Sequence, residues 1–323
     1  MTIGIGAFGP HAGEAVFEAL KHVERATLGE IGSGSIYGFA VYVAITQDGK
    51  MITYTTQRGG TTTLVTSGEE VGLRPEKDAL EARVAGIISS GPNRPEPLTS
   101  LLAAKASVGL VTGHRIPNAS CIKSKQPVNS RVLLLMEQGV KPQDAVNKVI
   151  NEDNPHIDAG LIAVNLAGEI GVVNSPRILK RADLNHSRAE DKATGSIVEV
   201  INNEIFPPKA LGDLAAAIAI NTMTREREPN FFVTVKSGTM VEKGDEDRVD
   251  VDANMVANKI YTIDHYVLEG EQLCVVPYSY SKVYRDEEFI GILMSEPIAV
   301  LKEGLITNLC GRDFIDIPAK YVR

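Results

Sequence analysis

The chain has 323 residues, 43% hydrophobic and 23% charged, with no tryptophan and a net charge of −8. That length calls for a large unit with a smaller partner, and the acidic balance argues against nucleic acid and anionic membrane as partners. Three widely spaced cysteines, Cys121, Cys274 and Cys310, form no C-x-x-C pair, so neither a disulfide framework nor a zinc site is indicated and no metal or other cofactor is expected.

The opening, "MTIGIGAFGP", lacks the basic region and apolar core of a signal peptide. No later stretch approaches the roughly 20 apolar residues of a membrane span, so a cytoplasmic protein is expected. "TIGIGAFG" reads as a short strand, and after Pro10 a helix carries Ala12, Ala15, Val16, Ala19, Leu20 and Val23 on one stripe. The small residues of 29–35 break the pattern. Residues 39–45 are almost wholly apolar, as in a strand covered on both faces, and a turn at 47–50 leads into a return strand over 51–57.

"RVAGIISS" and "VGLVTGH" are two more buried-type strands, separated by the proline-rich "GPNRPEPLTS", in which Arg94 and Glu96 are equally pocket residues or a surface pair. Val128, Val132, Leu133, Leu135 and Met136 mark a helix stopped by Gly139, and Pro142 starts the next, carrying Ala145, Val146, Val149 and Ile150. A hairpin follows in "DAGLIAVNLAGEIGVVN", turning at Ala167 and Gly168. The polar stretch 181–196 reads as a linker or domain edge, "PKALGDLAAAIAINTM" as a buried helix, and the remainder as a β-rich module. In that module "EKGDEDRVDVD" reads as a solvated acidic turn, its spacing not being that of a calcium loop. Two domains are expected, 1–186 and 187–323.

The order of these pieces resembles the N-terminal-nucleophile (Ntn) hydrolases, and within them the plant-type asparaginase and isoaspartyl-peptidase family. The segments that carry the resemblance are 38–45, 46–50, 51–60, 83–86, 108–113, 128–150 and 159–165. They match that family's buried strand, D-x-x-G-N turn, T-x-x-G-G strand end, R-V-G segment, strand ending in T-G, helix pair and G-G-L-I-A-V-D hairpin. The resemblance implies an α/β (α+β) fold, a four-layer αββα sandwich of antiparallel sheets, here with a β-rich C-terminal extension that it does not cover. It also implies a homo-oligomer.

In such enzymes a residue freed by self-cleavage at the start of the first hairpin strand is the nucleophile, and its own α-amino group is the base. The ungapped register places Phe39 there, and a phenyl ring cannot attack a carbonyl. Three rescues are open. Ser35 or Ser33 takes the role after a register shift; Thr61 takes it at the start of "TTTL", although a structural run is the plainer reading; or an unprocessed set around His114 and Thr55 does the chemistry. Cys121 beside His114 is a weaker candidate nucleophile. Arg115 beside His114 disfavours the charged imidazole and leaves a neutral base. The substrate-binding positions implied are Arg58, Gly59, Gly60, Arg83, Thr112, Gly113, Arg115 and Asn118, the arginines suiting a carboxylate by bidentate pairing. Thr55, Thr56, Arg58, Thr61, Thr112, His114 and Arg115 are expected to meet at one end of the sheet. Two functions stay open: an amidohydrolase acting on a small polar amide or amino-acid-derived substrate, or a non-catalytic binding or assembly protein that lost its nucleophile.

Overall fold

The computed structural model describes residues 2–27, 36, 38–66, 68–114, 121, 125–225 and 228–322. The chain divides into two compact units, Met1–Glu226 and Arg227–Arg323.

In the first unit β1 (Thr2–Phe8) is followed by helix α1 (Ala12–Thr27) and the hairpin β2 (Ala40–Ile45) and β3 (Met51–Thr56). Short strands β4 (Leu64–Thr66) and β5 (Glu69–Val71) and the single-turn helix α2 (Lys77–Leu80) lead to β6 (Val84–Ser90). Then come β7 (Ala103–Lys105), β8 (Gly109–His114), helices α3 (Val128–Glu137) and α4 (Pro142–Asn147), the hairpin β9 (Gly160–Asn165) and β10 (Ile170–Asn174), β11 (Leu184–Asp191), β12 (Ser196–Asn203) and helix α5 (Pro208–Thr224). Six strands form one antiparallel sheet in the order β11-β12-β1-β6-β2-β3, and four form a second in the order β10-β9-β8-β7. Helices α1 and α5 cover the outer face of the first sheet, while α3 and α4 cover the second. The expected αββα sandwich of antiparallel sheets is present.

The sequence of β1 shows why the layers meet as they do. In "TIGIGAF", Ile3, Ile5 and Ala7 point to α1 and α5 and belong to that buried cluster. The alternate positions, Gly4 and Gly6, face the other sheet, because successive strand residues point to opposite faces. A Cβ on Gly6 would stand 2.7 Å from Ile162 Cγ2, and one on Gly4 would stand 2.5 Å from the Gly113 carbonyl oxygen. At Gly4 the backbones of the two sheets touch.

The domain boundary differs from the expected 186/187. The polar stretch read as a linker is β11, which pairs with β12 from Leu184↔Asn203 to Asp191↔Ser196, and β12 lies against β1. An edge strand needs apolar residues on one face only, and its exposed His186, Arg188 and Glu190 gave it the composition of a loop. Helix α5 then packs beside α1, burying Ala215, Ala216 and Ala219.

The second unit is a ten-stranded sheet built from strands between residues 231 and 320, around a core that includes Val233, Val249, Ile260, Val283, Leu301 and Ile317. The acidic stretch in it is more ordered than a solvated turn. Glu246 meets Lys282 at 2.6 Å and accepts from Tyr284 Oη at 3.1 Å, Arg248 pairs with Asp250 and Glu287, and Lys259 with Glu242. No helix among the described residues is long and apolar enough to cross a membrane.

Candidate functional site

At one end of the first unit, four side chains lie across the inner face of the six-stranded sheet. Thr2 pairs with Asn203 of β12 on one side and with Ser90 of β6 on the other. Cross-strand partners share a face, and Thr2 lies two residues from Gly4, whose missing Cβ aims at Gly113; Thr2, Ser90 and Asn203 therefore face the second sheet. Phe39, just before β2, is 2% exposed and joins the same inner core.

The opposing wall is His114. Gly6 lies over Ile162 and Val164 and Gly4 over Gly113, so the line of β1 runs to Thr2 at the His114–Gly160 end. His114 is fully buried, and its Nε2 donates to Asn174 Oδ1 at 2.8 Å. The two residues pair across Gly160, on which a Cβ would stand 2.1 Å from Asn174 Oδ1 and 2.4 Å from His114 Nε2. Only glycine at that position lets histidine and asparagine meet.

Asn203 carries the unusual feature. It is fully buried, and neither its amide nitrogen nor its amide oxygen has a hydrogen-bond partner among the described residues. Its neighbour Asn202 faces the other way, donates to Pro208 O at 3.1 Å and accepts from Asn185. A buried amide left unpaired costs on the order of 1–3 kcal/mol, so a fold that keeps one needs a reason for it.

Arg94 stands at the rim. Its Nη2 donates to Ser90 Oγ, and its guanidinium lies 5.8 Å from the centroid of the Phe39 ring. Gln57 fixes the loop on both sides: Arg94 N donates to Gln57 Oε1 at 2.9 Å, and Gln57 Nε2 donates to Arg94 O at 2.7 Å. Of the two readings of Arg94 and Glu96, the surface pair does not form. Glu96 instead accepts from Gln57 Nε2 at 2.8 Å and Leu98 N at 2.9 Å.

The other expected site residues scatter, because the six-stranded sheet divides them. Thr112 and Gly113 are in the interior below His114, where Thr112 Oγ1 donates to Ile87 O at 3.0 Å. Cys121 is buried in the same core. Thr55 and Arg58 are exposed, and Arg83 lies over the Phe8 ring at 5.3 Å, at the far end of β6 from Ser90. Ser33, Ser35, Arg115 and Asn118 lie outside the described residues.

Thr61, with Gly59 and Gly60, is on the helix side of the sheet. Its N and Oγ1 both donate to Glu24 Oε2 of α1, at 3.0 and 2.5 Å. Gly60 has φ +52°, and a Cβ there would fall 1.9 Å from Glu24 Oε1, so the glycine makes room for a buried carboxyl. Burial pushes Glu24 up to about 7, against the opposing pull of the Thr61 hydrogen bonds. A carboxyl raised from its ordinary 4.5 binds its proton more tightly in the folded state. Its stabilising contribution is complete below the unfolded value and is lost as the pH rises through about 7. Between pH 5 and pH 8 the first unit is expected to lose about 2–3 kcal/mol more stability than the Glu24→Gln variant does. Urea unfolding of both proteins at the two pH values checks this, and equal losses refute it.

Residues 2–232 match the family described as "Domain of unknown function (DUF6963)", and residues 238–313 match "Domain of unknown function (DUF7259)". No curated protein matches the chain. Among solved structures, the crystal structure of protein SPO2555 from Silicibacter pomeroyi, of family-model DUF1028, is similar at 12% identity and a TM-score of 0.29, over 58% of this chain and 70% of that one. A likeness at that score carries no weight for the site. With its match running from β1 to beyond α5, the chain belongs to the DUF6963 family.

Proposed function

We propose that the first unit is an Ntn-type amide hydrolase whose nucleophile is Thr2, activated when the peptide bond before it is cut. The observation that carries this reading is the placement of Thr2. It opens a central strand, faces the inter-sheet space, and is flanked by the unpaired buried amide of Asn203. This moves the reaction from the β2–β3 hairpin, where Phe39 stands, to β1. Phe39 then forms a wall of the site.

The chemistry balances with residues already in place. Thr2 Oγ1 attacks the amide carbon, and its proton passes to the freed α-amino group, which delivers it to the leaving amine as the C–N bond breaks. Water then attacks the Thr2 ester, the same amino group taking its proton and returning it to Thr2 Oγ1 as the C–O bond breaks and the acid departs. Asn203 Nδ2 supplies a donor to the oxyanion formed in each half. His114, fixed by Asn174, gives the facing wall an ionisable group. The substrate class is a small polar amide.

The experiment is intact mass followed by labelling with a β-lactone, which acylates an activated threonine hydroxyl. The expected result is a chain that begins at Thr2 and takes up one lactone, located on Thr2 by peptide mapping. Thr2→Ala takes up none, and Thr2→Ser keeps part of the labelling. A chain that retains the residue before Thr2 and takes no lactone would remove the hydrolase, leaving the binding-protein reading. Lactone on Thr61 would transfer the role to the Thr61–Glu24 pair.

A further inference from the structure

The cation at the rim has no carboxylate partner among the described residues and is held from several sides. No carboxylate among the described residues pairs with the Arg94 guanidinium, whereas Arg181, Arg188 and Arg248 in the same chain each meet two. Arg94 is nevertheless held in place: Gln57 fixes its backbone, the Phe39 ring lies beneath it, and one N–H donates to Ser90, the cross-strand partner of Thr2. A surface arginine kept only for solubility would not need this support.

Resting on the Thr2 reading, we infer that Arg94 is a carboxylate-binding subsite, so that the substrate is an amide with a free carboxylate a few bonds from the scissile carbon. A guanidinium offers five N–H donors in a planar fork that matches both oxygens of a carboxylate. Nη2 is on Ser90, which lies one strand spacing from Thr2, so the guanidinium is anchored next to the Thr2 end of β1 with donors left over. The Phe39 ring, whose centroid is 5.8 Å from the guanidinium carbon, gives the cation an apolar neighbour on that side, which favours pairing with an anion over full hydration. N-acylated amino acids and the side-chain amides of acidic amino acids meet this requirement, and uncharged amides do not.

The test is calorimetric binding to the full chain at pH 7, with N-acetylglycine, succinate and glutarate as probes. N-acetylglycinamide, succinamide and glutaramide are the uncharged counterparts, and inorganic phosphate is the anion control. At least one carboxylate is expected to bind tenfold or more tighter than its amide. That preference falls below twofold in Arg94→Gln and weakens in Gln57→Ala, which frees the loop but keeps the charge. Equal binding of carboxylates and amides, a preference that survives Arg94→Gln, or phosphate binding as tightly as the best carboxylate would each overturn the assignment. The two readings fail separately. Carboxylate preference retained in a protein that takes no lactone keeps the subsite and removes the hydrolase; lactone on Thr2 without carboxylate preference does the reverse.

Discussion

Asn203→Leu is expected to make the first unit more stable and nearly inactive. The Asn203 amide is fully buried with neither end paired among the described residues, so replacing it by an apolar side chain of similar size relieves an uncompensated desolvation. The gain should be about 1–2 kcal/mol in urea unfolding. If Nδ2 serves the oxyanion, its loss slows acylation of Thr2 by the β-lactone about 100-fold or more, the usual effect of deleting one such donor. The two readouts must move in opposite directions. An asparagine that serves only the core gives either lost stability or unchanged labelling, and both results reject the role. Thr2→Val is the companion variant: it keeps the β-branched shape and the backbone pairing to Ser90 and Asn203 but lacks the hydroxyl.

Much of the fold was legible because periodicity reports burial. The stripe of α1, the apolar run of β2, the proline start of α4 and the turn of the β9–β10 hairpin all lie where their residues indicate. The linker reading of 181–196 failed because an edge strand presents a polar face and its partner lies elsewhere in the sequence. The site was harder for a related reason. A search for the nucleophile that starts from the first hairpin never considers Thr2, since only pairing in space makes β1 central. One signal was available. Strands β6 and β12 end in "SS" and "NN", and two consecutive polar residues at the end of an apolar strand put one on each face. Ser89 and Asn202 satisfy backbone carbonyls on the helix side, while Ser90 and Asn203 flank Thr2. Charge spacing could not show that Arg94 leaves Glu96 for Ser90, because Gln57, which aligns the loop, is 37 residues away along the chain.

The glycine beneath the site sets how closely its two walls approach, and Gly4→Val is expected to be the most disruptive single change in the first unit. A Cβ on Gly4 would stand 2.5 Å from the Gly113 carbonyl oxygen and 2.7 Å from its Cα, all of it backbone that no rotamer change can move. Gly113 cannot retreat. It is itself close to Gly160, whose carbonyl oxygen lies 2.0 Å from where a Gly113 Cβ would be. The sheets must therefore separate at the Thr2–His114 end, opening the core around Ile88 and Ile201 to a void or to water. Gly4→Ala should cost at least about 3 kcal/mol, at the upper end of overpacking penalties, and Gly4→Val should leave the first unit unfolded at 37 °C. Gly91→Ala, beside Ser90 but with open space around its Cβ, is the control and should change stability by less than about 0.5 kcal/mol. Because Gly4 carries no chemistry, Gly4→Ala also tests the site through its geometry. In the folded fraction, lactone acylation should fall even though Thr2, Asn203, Ser90 and His114 are all present, since the facing walls have moved apart. Full labelling of a destabilised Gly4→Ala protein would mean that the second sheet, and His114 with it, takes no part in the reaction.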